Sequence, residues 1–153
     1  MDSSNAEINY SLSTHSSFMS LIGFSEISNK QFPRSVVRCP FGKCRTRIIL
    51  LNETLASRRK EIGNAPPMAS DSKNFFELDD VWDFDNIGVS KPTQELESSS
   101  RVGDLEKVER LLICSECDQG PLGFAGFRNP EETDVKKLCY YLSCESVVYE
   151  EVA

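Results

Sequence analysis

The run Leu112-Ile113-Cys114-Ser115-Glu116-Cys117-Asp118-Gln119-Gly120-Pro121-Leu122-Gly123-Phe124 sets two cysteines between a β-prone segment and a Gly-Pro break. Two thiolates in a CxxC on a tight turn can face one tetrahedral ion. The same spacing also serves redox chemistry. A redox CxxC opens a helix, whose dipole lowers the thiol pKa. Gly120-Pro121 follows too soon for that helix. Structural metal is therefore the favoured reading, ahead of redox chemistry and of inert buried thiols.

Working outward, a partner for this knuckle lies far upstream. Cys39-Pro40-Phe41-Gly42-Lys43-Cys44 is a CxxxxC whose Pro and Gly favour a turn. It follows the β-prone Val36-Val37-Arg38, as the second knuckle follows Leu111-Leu112-Ile113. Together they read as halves of a split four-cysteine zinc site, with Cys39, Cys44, Cys114 and Cys117 as ligands of one structural Zn²⁺. Such a site couples metal binding to folding with ~10–16 kcal/mol of apparent energy. The other two cysteines lie in Leu138-Cys139-Tyr140-Tyr141-Leu142-Ser143-Cys144-Glu145-Ser146-Val147, which reads as one last strand. Five positions apart on a strand, Cys139 and Cys144 face opposite sides. They are expected as structural cysteines.

Between the knuckles, Phe75-Phe76-Glu77-Leu78-Asp79-Asp80-Val81-Trp82-Asp83-Phe84-Asp85-Asn86-Ile87-Gly88 mixes aromatic and acidic residues and holds the one tryptophan. Alternation from Trp82 to Asp85 suits a half-buried strand with Trp82 in the core. The opposite reading is an exposed aromatic anchor ringed by charge. Residues 52–74 and 90–107 are polar and read as mobile loops, with a short helical turn within Glu53–Glu61. Residues 1–33 are serine-rich and read as a disordered tail, in which Phe18–Phe24 is a weak apolar patch or a docking motif. The domain proper is expected at residues 34–151.

Composition excludes several classes. The chain has 153 residues and a net charge of −7, which disfavours a phosphate-gripping nucleic-acid binder. The longest aliphatic run is Ile48-Ile49-Leu50-Leu51, too short for a transmembrane helix. The early residues lack the basic and apolar regions of a secretory signal. The two sequons, at Asn9 and Asn52, are therefore read as chance, and the compartment as cytoplasmic and reducing. His15 is the single histidine and sits in the tail, so no histidine-based nucleophilic mechanism is expected.

These pieces resemble the Mss/Dss family of Rab-interacting factors, which release guanine nucleotide from small Rab GTPases. The knuckle block from Leu112 to Phe124 looks like the family signature: CxxC, an acidic residue, a variable one, then Gly-Pro-hydrophobic-Gly-aromatic. Asp79 to Gly88 is similar to its acidic-aromatic segment ending in Asn-aliphatic-Gly, and Tyr140 to Val147 to its last strand. The chain departs from the family in the longer Cys39–Cys44 interval, in Cys144 where an aliphatic residue is usual, and in Val81 and Trp82. The resemblance implies an all-β, zinc-containing, tent-like fold. It implies a protein that binds a Rab GTPase, expels its nucleotide and holds the nucleotide-free form in vesicular transport and exocytosis; a monomer is the default expectation. It places the Rab-binding surface at Asp80, Val81, Trp82, Asn86 and Glu116, with no catalytic residue in the chemical sense. Two rival readings remain: a zinc-containing methionine sulfoxide reductase-like enzyme, whose nucleophile would be Cys139 or Cys144, and a zinc-ribbon interaction module.

Overall fold

The computed structural model describes residues 21–92, Leu96 and residues 101–152. Two antiparallel sheets dominate it. The smaller runs β1 (Leu21–Ile22), β10 (Val148–Glu151), β2 (Ser35–Arg38), β3 (Arg47–Leu51). The larger runs β4 (Arg59–Glu61), β5 (Asn74–Leu78), β9 (Cys139–Ser143), β8 (Gly123–Phe127), β7 (Lys107–Cys114), β6 (Ile87–Val89). Short helices follow two edge strands: α1 (Phe24–Asn29) after β1 and α2 (Glu53–Ala56) between β3 and β4. The all-β expectation holds.

The pleat explains why the larger sheet's central strands are apolar throughout. Phe76, Leu78, Leu112, Tyr140 and Leu142 point to one side and pack with Val37, Ile49, Leu51 and Tyr149 of the smaller sheet. Phe75, Phe124 and Tyr141 point to the other side, where Ile62, Val102 and Leu105 cover them. Gly123 of the signature block has a steric reason. A Cβ there would run into the Tyr141 carbonyl of the neighbouring strand.

Four sequence expectations need correction. The domain does not begin at residue 34: Leu21–Ile22 pairs with Tyr149 and Glu150, and Ile27 of α1 is fully buried. Residues 1–20, the rest of the expected tail, lie outside the described residues. The expected loop 52–74 holds the expected helical turn as α2, capped by the Asn52 side chain accepting from Leu55 N at 2.9 Å, but also the unexpected strand β4. The expected loop 90–107 buries Val102 and Leu105 and runs into β7. Finally, the single last strand is two. A 3₁₀ turn at Cys144–Ser146 interrupts it, held by the Ser143 hydroxyl donating to Ser146 Oγ at 2.9 Å. The chain thereby leaves the larger sheet after β9 and enters the smaller one as β10.

Candidate functional site

Each knuckle hangs from a strand of a different sheet. Cys39 and Cys44 flank the β2–β3 turn of the smaller sheet; Cys114 ends β7 of the larger, and Cys117 follows in the turn. The four Sγ atoms lie within 4.8 Å of one another. Cys39 Sγ is 3.7 Å from Cys117 Sγ, and Cys44 Sγ is 3.7 Å from Cys114 Sγ. A tetrahedron of sulfurs about 2.3 Å from a central ion has edges of about 3.8 Å. These contacts thus pair sulfurs across the two knuckles at ligand spacing. The donor set fits a metal ion held jointly by both sheets.

Local backbone chemistry prepares the set. In the second knuckle, Cys114 N donates to Gln119 O at 2.9 Å and Asp118 N donates to Cys114 O at 2.8 Å. Burial raises the Cys114 pKa, but N–H groups of Cys117 and Glu116 aimed at its sulfur outweigh burial and lower it. Burial pushes Cys117 up to about 11 and Cys39 higher still. Desolvated thiols of this kind hold their protons until a cation displaces them. In the first knuckle, Cys44 N donates to Phe41 O at 3.0 Å, and Gly42 sits at φ +51°. Arg45, only 6% exposed, donates through Nη1 to Pro40 O at 2.6 Å and Cys39 O at 3.4 Å.

The acidic-aromatic segment sits against both knuckles. It is not a strand. Val81–Asp83 is a 3₁₀ turn, capped by the Asp80 carboxylate accepting from Trp82 N at 2.9 Å. Trp82 is 87% exposed, whereas Phe84 turns inward to meet Tyr140 edge-on at 6.2 Å. Val81 is partly buried against the main core, and Asp80 and Glu116 are exposed. The segment is laced to the first knuckle's strand: Asp85 N donates to Ile48 O at 2.7 Å, and Arg47 Nε pairs with Asp85 at 2.7 Å. Asn86, at φ +51°, donates from its amide to Thr46 Oγ1 and Arg47 O, both at 3.0 Å. Its carbonyl accepts from Ser115 N of the second knuckle at 3.0 Å. Asn86 is therefore the tie between knuckles and segment. An Asn before an aliphatic residue and Gly was the sequence signal, since Asn tolerates positive φ better than most residues.

Cys139 and Cys144 lie apart from the cluster and are 2% and 0% exposed. Burial raises both thiol pKa values. A nucleophilic cysteine needs the opposite environment, open and thiolate-stabilising.

With this geometry in view, the sequence comparisons are specific. Residues 34–149 match the family described as Mss4 protein. The chain belongs to the Mss4 family. A Saccharomyces cerevisiae relative, Protein DSS4, is 30% identical over 139 residues, covering 74% of this chain and 95% of the yeast protein. A Schizosaccharomyces pombe relative, named guanine nucleotide exchange factor MSS4 homolog, is 36% identical over 61 residues, covering 40% of this chain and 49% of that protein. The Mss4 match starts at the first strand before Cys39 and ends within β10, so it includes both knuckles and the segment between them.

Proposed function

We propose that this protein is a guanine-nucleotide-releasing factor for Rab-family small GTPases, which binds and holds their nucleotide-free form. The observation that carries the reading is Trp82. A large apolar side chain, 87% exposed, stands on a turn braced by both cysteine knuckles. Membership of a family with a relative named as an exchange factor supports it.

A small GTPase holds its nucleotide through Mg²⁺ and backbone donors around the phosphates. A partner that binds the empty conformation more tightly than the loaded one shifts the equilibrium toward release. No covalent bond is made or broken, so the chain acts as a binding catalyst and chaperone. Trp82 and Val81 supply the apolar anchor. Asp80 and Glu116 supply negative charge that pairs with basic residues of the Rab or opposes the phosphates. Asn86 contributes mainly by holding the anchor in place. One structural Zn²⁺, favoured by four soft thiolate donors, would clamp the two sheets together. The protein would act in vesicular transport and exocytosis, in the cytoplasm and at secretory membranes through the Rab; no described helix is long and apolar enough to cross a membrane.

The test loads a panel of Rab GTPases with fluorescent GDP and follows its release. Acceleration is expected for a subset, falling about tenfold or more on Trp82→Ala, as for a central interface anchor. Circular dichroism should be unchanged, because Trp82 packs little. No release from any Rab by folded, metal-loaded protein overturns the proposal.

A further inference from the structure

Trp82 and Val135 are the exposed large hydrophobic residues among those described, at 87% and 52%. They are 53 positions apart in sequence, yet both line one groove. Its floor includes Tyr140 of β9, and its walls carry Asp80 on the Trp82 side and Arg110 of β7. Tyr140 is 6% exposed and lines the groove. Among the described residues it has no hydrogen-bond partner, unlike Tyr141, which donates to Glu77, and Tyr149, which donates to the Cys144 carbonyl. A buried hydroxyl left unpaired is costly. Two stranded apolar side chains and one unpaired hydroxyl thus converge on a single concavity.

We propose that this groove is a specificity subsite for the GTPase, receiving an apolar side chain whose neighbouring backbone or polar group bonds the Tyr140 hydroxyl. The inference rests on the Rab reading and extends its contact surface from Trp82 across the sheet to β9 and the Val135 turn. The groove is continuous with the proposed anchor, since Asp80, Val81 and Trp82 form its near wall. Asp80 stands on the Trp82 side while Arg110 and Lys136 line the groove with Val135, and Asp79 already pairs with Arg58, so a basic residue of the incoming segment, beside its apolar one, would meet Asp80 alone. The far wall, with Arg110 and Val135, would discriminate among GTPases that satisfy Trp82 equally well.

The experiment compares the full-length protein with Val135→Asp and Tyr140→Phe in the fluorescent-GDP assay, on the GTPases that the parent discharges fastest. Val135 is half exposed, so Val135→Asp should melt like the parent, and Phe keeps the Tyr140 ring while removing an unpaired hydroxyl, so Tyr140→Phe should melt at or above it. Val135→Asp is expected to lower release about tenfold, the scale of an interface hot spot. Tyr140→Phe should lower it about two- to tenfold, the worth of one hydrogen bond. In parent protein carrying 3-fluorotyrosine, the ¹⁹F resonance missing from Tyr140→Phe should shift on forming the nucleotide-free complex. If Trp82→Ala abolishes release while both groove variants match the parent and that resonance stays still, the groove is no subsite and the Rab reading stands. If the parent releases no nucleotide, both fall together.

Discussion

The knuckle between β2 and β3 has four residues between its cysteines; the one after β7 has two. Both deliver sulfurs to one cluster, with cross-knuckle pairs at the same 3.7 Å. The shorter turn closes on itself through Asp118 N to Cys114 O and through N–H groups aimed at sulfur. The longer one also closes through Cys44 N to Phe41 O and through Phe41 N–H aimed at the Cys39 sulfur, but its Cys39 and Pro40 carbonyls still need donors. Arg45 supplies them, lying under the turn and donating to Pro40 O and Cys39 O. With a divalent ion bound its buried charge would have a second use, because four thiolates around such an ion leave a net charge of −2. Two extra residues are thus accommodated by one cation placed just after the second cysteine.

The largest effect tests whether the knuckles share one ion. Stripping metal from the folded protein should abolish the β-sheet circular dichroism signal, given ~10–16 kcal/mol of apparent coupling energy. Cys44→Ser and Cys114→Ser should each reduce bound zinc, measured by mass spectrometry, from one per chain to near zero. Zinc retained by the first variant and lost from the second would break the comparison.

Next in size is Arg45→Met, which removes the donors that only the longer knuckle needs. It should cost about 1–3 kcal/mol through unpaired buried carbonyls, read as a lower thermal midpoint of metal-loaded protein. Asn86→Gly keeps the positive φ but deletes the amide that ties the segment to Thr46 and Arg47. About 1–2 kcal/mol of denaturant stability should go with those two bonds. The smallest effect separates the turns by backbone strain alone. Gly42→Ala has open space for its Cβ but a φ of +51°, and should cost about 1 kcal/mol. Asp118→Gly, at φ +59°, should be nearly neutral, because relieved strain offsets the entropy added to the unfolded chain.

The cysteine pairs were legible because ligand spacing survives without any knowledge of the fold. The strands around them were legible from their β-branched residues. What the chain hid was context. Residues 21–29 form a two-residue strand and a six-residue helix, too short for any period to show. Strand β4 is Arg59-Lys60-Glu61, exposed at every position, and is specified by pairing with Phe76, Phe75 and Asn74. Val81–Asp83 misled by mimicry, since one 3₁₀ turn with Trp82 out and Phe84 in alternates like a strand. The break at Cys144–Ser146 was hidden because β-prone residues lie on both sides of it. The Tyr140 groove was invisible, because its walls come from segments far apart in the chain.

The division of the cluster between two sheets also governs the order in which the molecule comes into being. Cys44 and Cys114 are 70 positions apart, so at about 5–20 residues per second a ribosome makes the second knuckle some ~4–14 s after the first. Strand β10 arrives later still, and it is the piece that fits between β1 and β2. Until it emerges, Leu21–Ile22 has no neighbour to pair with, and the nascent chain carries half a thiol cage with its sheet left open. Closure is consequently a late event in which the last strand and the completed cage arrive within one short window.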